Sequence, residues 1–192
     1  MILAITGTPG TGKTTIAEIL ENNGFHVVHL GELVVEKKFV DGYDEERDTY
    51  IIDVEKLDDY ISKTYGNYET LIILEGHLSH LLTNVDYIII LRCHPKTLWK
   101  RLQSKNWKKE KIRENVEAEI LDIILCEAVE KHNEDKLFEI DTTSLQPEEA
   151  AAIIIKLIES GFKRDEKLSI GRIDWSEEIL DWWKGVDGSR CP

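Results

Sequence analysis

Gly7-Thr8-Pro9-Gly10-Thr11-Gly12-Lys13-Thr14 follows the apolar run 2–6 and precedes a segment whose apolar Ile16, Ile19 and Leu20 recur at helical spacing. This is the G-x-x-x-x-G-K-[ST] pattern, in the strand–loop–helix setting its chemistry needs. Glycines such as Gly10 and Gly12 let backbone N–H groups wrap phosphate oxygens at a helix N-terminus, where the helix dipole also favours anions. Lys13 then reaches the β and γ phosphates, and the Thr14 hydroxyl helps hold Mg²⁺, with Thr15 next along the first turn. A glycine-rich turn that binds nothing is the plain alternative, and the flanking strand and helix argue against it. ATP and Mg²⁺ are the expected ligands.

Outward from the loop, short apolar runs alternate with helical patterns, which predicts an α/β fold with a five-stranded parallel sheet and helices on both faces. Strands are expected at 2–6, 26–30, 71–75, 87–91 and 137–140. Helices are expected at 13–21, 54–64, 97–104, 112–131 and 148–160. Ligands in such sheets bind beyond the carboxyl ends of the strands. The residues just after each strand therefore become suspects: the loop itself, residues 75–77, Arg92 and residues 141–144.

The chain has 192 residues, a hydrophobic content of 42% and a net charge of −13. That size suits one domain around one extended core. No apolar run approaches the roughly 18 residues of a membrane span, and no secretory signal opens the chain, so a cytoplasmic or nuclear protein is expected. The acidic balance argues against broad binding to nucleic acid and suits solubility or a basic protein partner. Cys93, Cys126 and Cys191 are odd in number and lack metal-ligand spacing, so reduced thiols are expected. Charge is unevenly spread: residues 92–114 hold nine Lys or Arg against two Glu, a local +7 that leaves −20 for the rest. Such a segment is either a solvated helix face or a clamp for nucleotide phosphates.

With the loop in place, three further stretches, Asp41-Gly42-Tyr43-Asp44-Glu45-Glu46, Glu75-Gly76-His77 and Arg101-Leu102 through Asn115, resemble the adenylate kinase isoenzyme 6 family, archaeal and eukaryotic nuclear. The resemblance covers residues 1–160 or so. It implies a nucleoside monophosphate kinase fold over 1–161, with an NMP-binding insertion about 30–52 and a short LID about 104–114. It also implies an adenylate kinase that hydrolyses ATP and a role in small-subunit ribosome maturation, with a basic platform ribosomal protein or a pre-ribosomal particle as partner. The basic segment is then the LID, since phosphoryl transfer needs cations around the migrating group and a flap that excludes water. Lys105 stands where the family has an arginine and is expected to contact ATP as a point charge. Glu75, where the family has Asp, is expected to hold Mg²⁺ through water, and His77 to orient or deprotonate an attacking water. His80, three residues on, is read as carrying no metal.

Two departures from conventional adenylate kinases concern the acceptor. The arginines that grip AMP phosphate after the second and third strands are missing, Val35 and Ser79 lying in those stretches. Arg47 is the one nearby candidate, set among Asp41, Asp44, Glu45, Glu46 and Asp48. Guanidinium forks are what a phosphate acceptor wants, so AMP binding should be weaker than ATP binding. The acidic run is either a solvated loop or a docking surface for a basic protein. Two functions follow: an AMP kinase, or an assembly chaperone whose grip on a basic ribosomal protein is switched by ATP. The chain has no Asn-Lys-x-Asp element of a GTPase and is too short for a full AAA or ABC module; shikimate or cofactor kinases match on fold alone. In the extension 162–192, Trp175, Trp182 and Trp183 would share a face of a short helix capped by Asp174, packed on the chain's own core or docking a partner.

Overall fold

A computed structural model describes residues 1–45, 49–179 and 182. In chain order the elements are β1 (Ile2–Gly7), α1 (Lys13–Asn22), β2 (His26–His29), α2 (Leu30–Lys37), β3 (Val40–Asp44), β4 (Thr49–Ile52), α3 (Val54–Tyr65) and β5 (Ile72–Glu75). They continue with β6 (Tyr87–Arg92), α4 (Pro95–Gln103), α5 (Lys109–Ile120), α6 (Ile123–Lys131), β7 (Leu137–Asp141) and α7 (Pro147–Glu159). Five strands form one sheet in the order β2-β5-β1-β6-β7, every pair parallel. All five are the strands expected from the apolar runs, to within a residue or two.

The sheet is buried on both faces, which is why its strands read as continuous apolar runs rather than alternating ones. Leu3 and Ile5 face one layer with Ile16, Leu20 and Ile154 of α1 and α7, while Ile2 and Ala4 face the other with Leu30, Leu57 and Ile61 of α2 and α3. Local chemistry sets the helix starts. The Asp53 carboxylate accepts from Lys56 N at 3.0 Å to cap α3, and Pro147 opens α7 inside a Gln146/Glu149 capping box.

The structure departs from the sequence reading in two places. Residues 112–131 form two helices, not one: Asp122 takes a left-handed conformation (φ 54°) between α5 and α6. The region 30–52 holds α2 and an antiparallel hairpin, β3–β4, neither of which the apolar pattern had marked. Glu46, Arg47 and Asp48 of the acidic run, together with Trp183 and Cys191, lie outside the described residues. Cys93 is buried and its thiol is pushed up to about 11, first by burial; Cys126 is exposed. Among the described residues no helix is long and apolar enough to cross a membrane.

Beyond α7 the chain folds back across β7, α4 and α5. Trp182 is buried edge-on against Trp99 with ring centroids 5.3 Å apart, in a third cluster with Leu98, Leu102, Ile112 and Val116. Asp174 Oδ1 accepts from Ser176 N at 2.8 Å, at the start of the helical stretch 176–179.

Candidate active site

The carboxyl ends of the strands open into a cleft of about 1040 Å³, floored by residues 8–16. That is the size of a pocket for a nucleotide-sized ligand. Its floor depends on backbone that only glycine tolerates. Gly10 has φ +95°, and a Cβ there would stand 2.9 Å from both Leu98 Cδ1 and Leu102 Cδ2; Gly12 has φ +101° and begins α1 directly. The loop and the first turn of α1 thus line the same space.

Lys13 lies within the loop and is only 8% exposed. Its ammonium donates to Gly7 O at 2.6 Å and Thr8 O at 3.1 Å. Burial lowers its pKa to about 8; Lys105 adds to the lowering, while Glu75 and Glu119 oppose it. Thr14 Oγ1 donates to Glu75 Oε1 at 3.2 Å, so hydroxyl and carboxylate converge beside the phosphate loop. The other oxygen, Glu75 Oε2, is 3.0 Å from His29 Nδ1 at the end of β2. Mg²⁺ is usually held by one or two protein oxygens plus water and phosphate oxygens, and the Thr14/Glu75 pair fits that donor set.

His77 is exposed at the cleft wall, its carbonyl 3.3 Å from Thr6 Oγ1. Burial of part of the ring among the cleft residues lowers its pKa, Lys13 and His80 add to the lowering, and Glu75 opposes it, so the neutral ring is favoured at pH 7. His80 also borders the cleft, but from within the protein. Its ring is fully buried, bonded to Thr6 Oγ1 and to Glu127 Oε2, each at 2.9 Å.

Arg101, Lys105 and Lys111 line one side of the cleft, with Trp107 between the lysines: Lys105 Nζ is 5.7 Å and Lys111 Nζ 4.8 Å from its ring centre. Gly10, Gly12, Lys13, Thr14, Thr15, Glu75, His77 and Lys105 all line this one cleft. Arg92 does not. It turns into the protein and is 2% exposed, because Glu119 and Glu139, rather than the cleft, supply its partners. Sequence reading missed His29, Arg101 and Glu119. Arg101 donates to Thr142 O at 2.7 Å, and Thr142 Oγ1 lies 2.8 Å from Thr11 O, tying α4 to the phosphate loop.

Known proteins resemble this chain over most of its length. The family described as an AAA domain matches residues 3–122, which hold the loop, Glu75, His77 and the basic segment 101–111. Three archaeal proteins, each named "Putative adenylate kinase", match nearly the whole chain. That of Methanocaldococcus jannaschii is 43% identical over 183 residues, 95% of this chain and 97% of its own. That of Pyrococcus abyssi is 43% identical over 92% of each chain, and that of Archaeoglobus fulgidus 42% identical over 94% of this chain and 95% of its own. With the phosphate loop, the Glu75–His77 corner and the basic segment 101–111 assembled around one cleft, the chain belongs to this adenylate kinase family of P-loop nucleotide-binding proteins, the isoenzyme 6 type its motifs resemble.

Proposed function

We propose that the protein transfers the γ-phosphoryl group of MgATP to AMP, and that it also hydrolyses ATP. The observation that carries the reading is the convergence of Lys13, Thr14 and Glu75 on one cleft with the LID cations. In transfer, an AMP phosphate oxygen attacks the γ phosphorus in line. The bond to the bridging oxygen breaks, and that oxygen leaves with ADP, so two ADP form. Lys13, Lys105, Lys111 and Arg101 face the charge that spreads over the transferred group, where fixed cations count most. Mg²⁺, held by Thr14 and by Glu75 through water, would neutralise the β and γ oxygens. In hydrolysis a water replaces AMP, and the neutral His77 ring orients it and accepts its proton.

A second reading is favoured by the acceptor side. Among the described residues that line the cleft, the lysines and arginines are Lys13 of the loop, Arg101 of α4, and Lys105 and Lys111; no arginine lines the side bearing Gly31, Thr49 and His77. On that reading ATP turnover chiefly switches a grip on a basic ribosomal protein during small-subunit maturation. The β3–β4 hairpin supports it by exposing Tyr43, Tyr50 and Ile51 beside Asp41, Asp44 and Glu45.

One assay separates the two: ADP, AMP and free phosphate followed together, with ATP alone and with AMP added. AMP-dependent ADP formation is expected; phosphate release with no such ADP refutes the transfer. For the partner, a pull-down against basic small-subunit proteins at low and moderate salt is decisive, and no capture at either refutes the second reading.

A further inference from the structure

Beneath the phosphate loop lies a buried group of charges that catalysis does not use. Arg92, from the end of β6, donates to Glu119 Oε1 at 2.8 Å and Glu139 Oε1 at 2.5 Å, and bonds to Asp122 as well. Arg92, Glu119 and Glu139 are each no more than 3% exposed. Burial acts to lower the Arg92 pKa, yet the three carboxylates outweigh it and raise it; burial raises Asp122 and Glu139. One guanidinium thus faces three carboxylates, and the excess oxygens need N–H or O–H donors to be tolerated away from water.

The donors come from two directions. From the phosphate loop, Thr8 Oγ1 donates to Glu119 Oε2 at 2.6 Å. From the C-terminal extension, Trp175 Nε1 donates to Glu119 Oε1 at 3.3 Å and Gly171 N to Glu139 Oε2 at 2.6 Å. Cys93 N completes the set on Glu119 Oε1 at 3.1 Å. The extension is held in place independently of this carboxylate. Glu178 pairs with Lys96 at 3.0 Å and His94 at 3.3 Å, the His94 and Trp175 rings meet at 5.0 Å, and Trp182 packs on Trp99.

We propose that Glu119 is a positioning residue for the phosphate loop, and that the C-terminal extension, through Trp175, sets its orientation and so tunes the affinity for ATP phosphates. Thr8 and Trp175 bond opposite oxygens of one carboxylate, so either bond fixes the plane of the other. Thr8 O is also an acceptor for Lys13, so a shift of Thr8 moves the lysine's resting contact. The extension is therefore a working part of the nucleotide site as well as a cover for α4 and α5. The inference rests on the phosphate loop binding ATP.

A double-mutant cycle in the full chain tests it, with ATP dissociation constants and melting temperatures for Thr8→Val, Trp175→Phe and the pair. Each single variant is expected to weaken ATP binding about three- to tenfold, a part of what a hydrogen bond to a charged group contributes, since each bond acts on the loop indirectly. The double variant should be no weaker than the weaker-binding single, because both act through Glu119. Trp182→Phe, in the same extension but bonded to Glu117 instead, should lower the melting temperature and leave ATP affinity unchanged. Multiplicative losses in the double variant, or Trp182→Phe weakening ATP as much as Trp175→Phe, overturn the proposal and leave the extension a structural cover. Absence of ATP binding in the unmutated chain would instead overturn the reading of the loop itself.

Discussion

Lys13 should make ATP binding fall steeply above pH 8. In the free protein its ammonium is buried against two carbonyls, and its pKa drops from 10.5 to about 8, a differential cost of about 3 kcal/mol on the charged form. ATP phosphates need the charged form and raise the pKa again on binding. Below pH 8 the free protein already carries the proton, so affinity is flat. Above it, the charged fraction falls about tenfold per pH unit, and the apparent affinity falls with it until the pKa of the bound state is reached. ATP contributes no slope of its own there, since a terminal phosphate is fully ionised well below pH 8. The measurement is isothermal titration of ATP between pH 7 and 9.5 in buffers of different ionisation enthalpy. Binding should take up about a tenth of a proton at pH 7, about half at pH 8 and about nine tenths at pH 9. Lys105→Ala removes a charge that lowers Lys13 and should move the inflection to higher pH. An affinity flat across the range, with heats independent of buffer, would refute the buried-lysine account.

Other expectations follow from single contacts. Arg92→Met strands three carboxylates without their cation and should cost about 3–5 kcal/mol, read as a fall of roughly 10 °C in melting temperature. Glu75→Gln keeps the size of the side chain and loses its charge; turnover with Mg²⁺ should fall about 10–100-fold, while ATP affinity measured without Mg²⁺ should not fall. Gly10→Ala places a Cβ 2.9 Å from Leu98 and Leu102 at a positive φ, and should weaken ATP binding about tenfold or more with about 1–2 kcal/mol of strain, visible in titration and thermal melts.

The phosphate loop was legible because its signal is local: glycine spacing and the following Lys-Thr fix both backbone and chemistry within eight residues. The parallel sheet was legible because strands buried on both faces must be continuously apolar. Tertiary contacts hid the rest. Glu119 meets Thr8 across 111 positions, and His29 meets Glu75 only because β2 and β5 pair in parallel register. The break at Asp122 was hidden too, since Ile120, Ile124 and Ala128 continue the helical period through it while Arg92 holds the Asp122 carboxylate. Arg92 was misplaced by a rule that holds for most residues after a strand, and here yields to a stronger demand from three buried carboxylates. The β3–β4 hairpin escaped because Asp-Gly-Tyr-Asp carries no apolar alternation; its pairing places Tyr43 against Tyr50 instead.

Cations set on the loop and 101–111 side alone suit the cleft to ATP and less well to AMP opposite. Titrating the unmutated chain separately with ATP and with AMP, with Mg²⁺ present, tests it most directly. At least about tenfold tighter binding of ATP is predicted, the difference that cations set on one side alone should give; equal affinities, or tighter AMP, would contradict it.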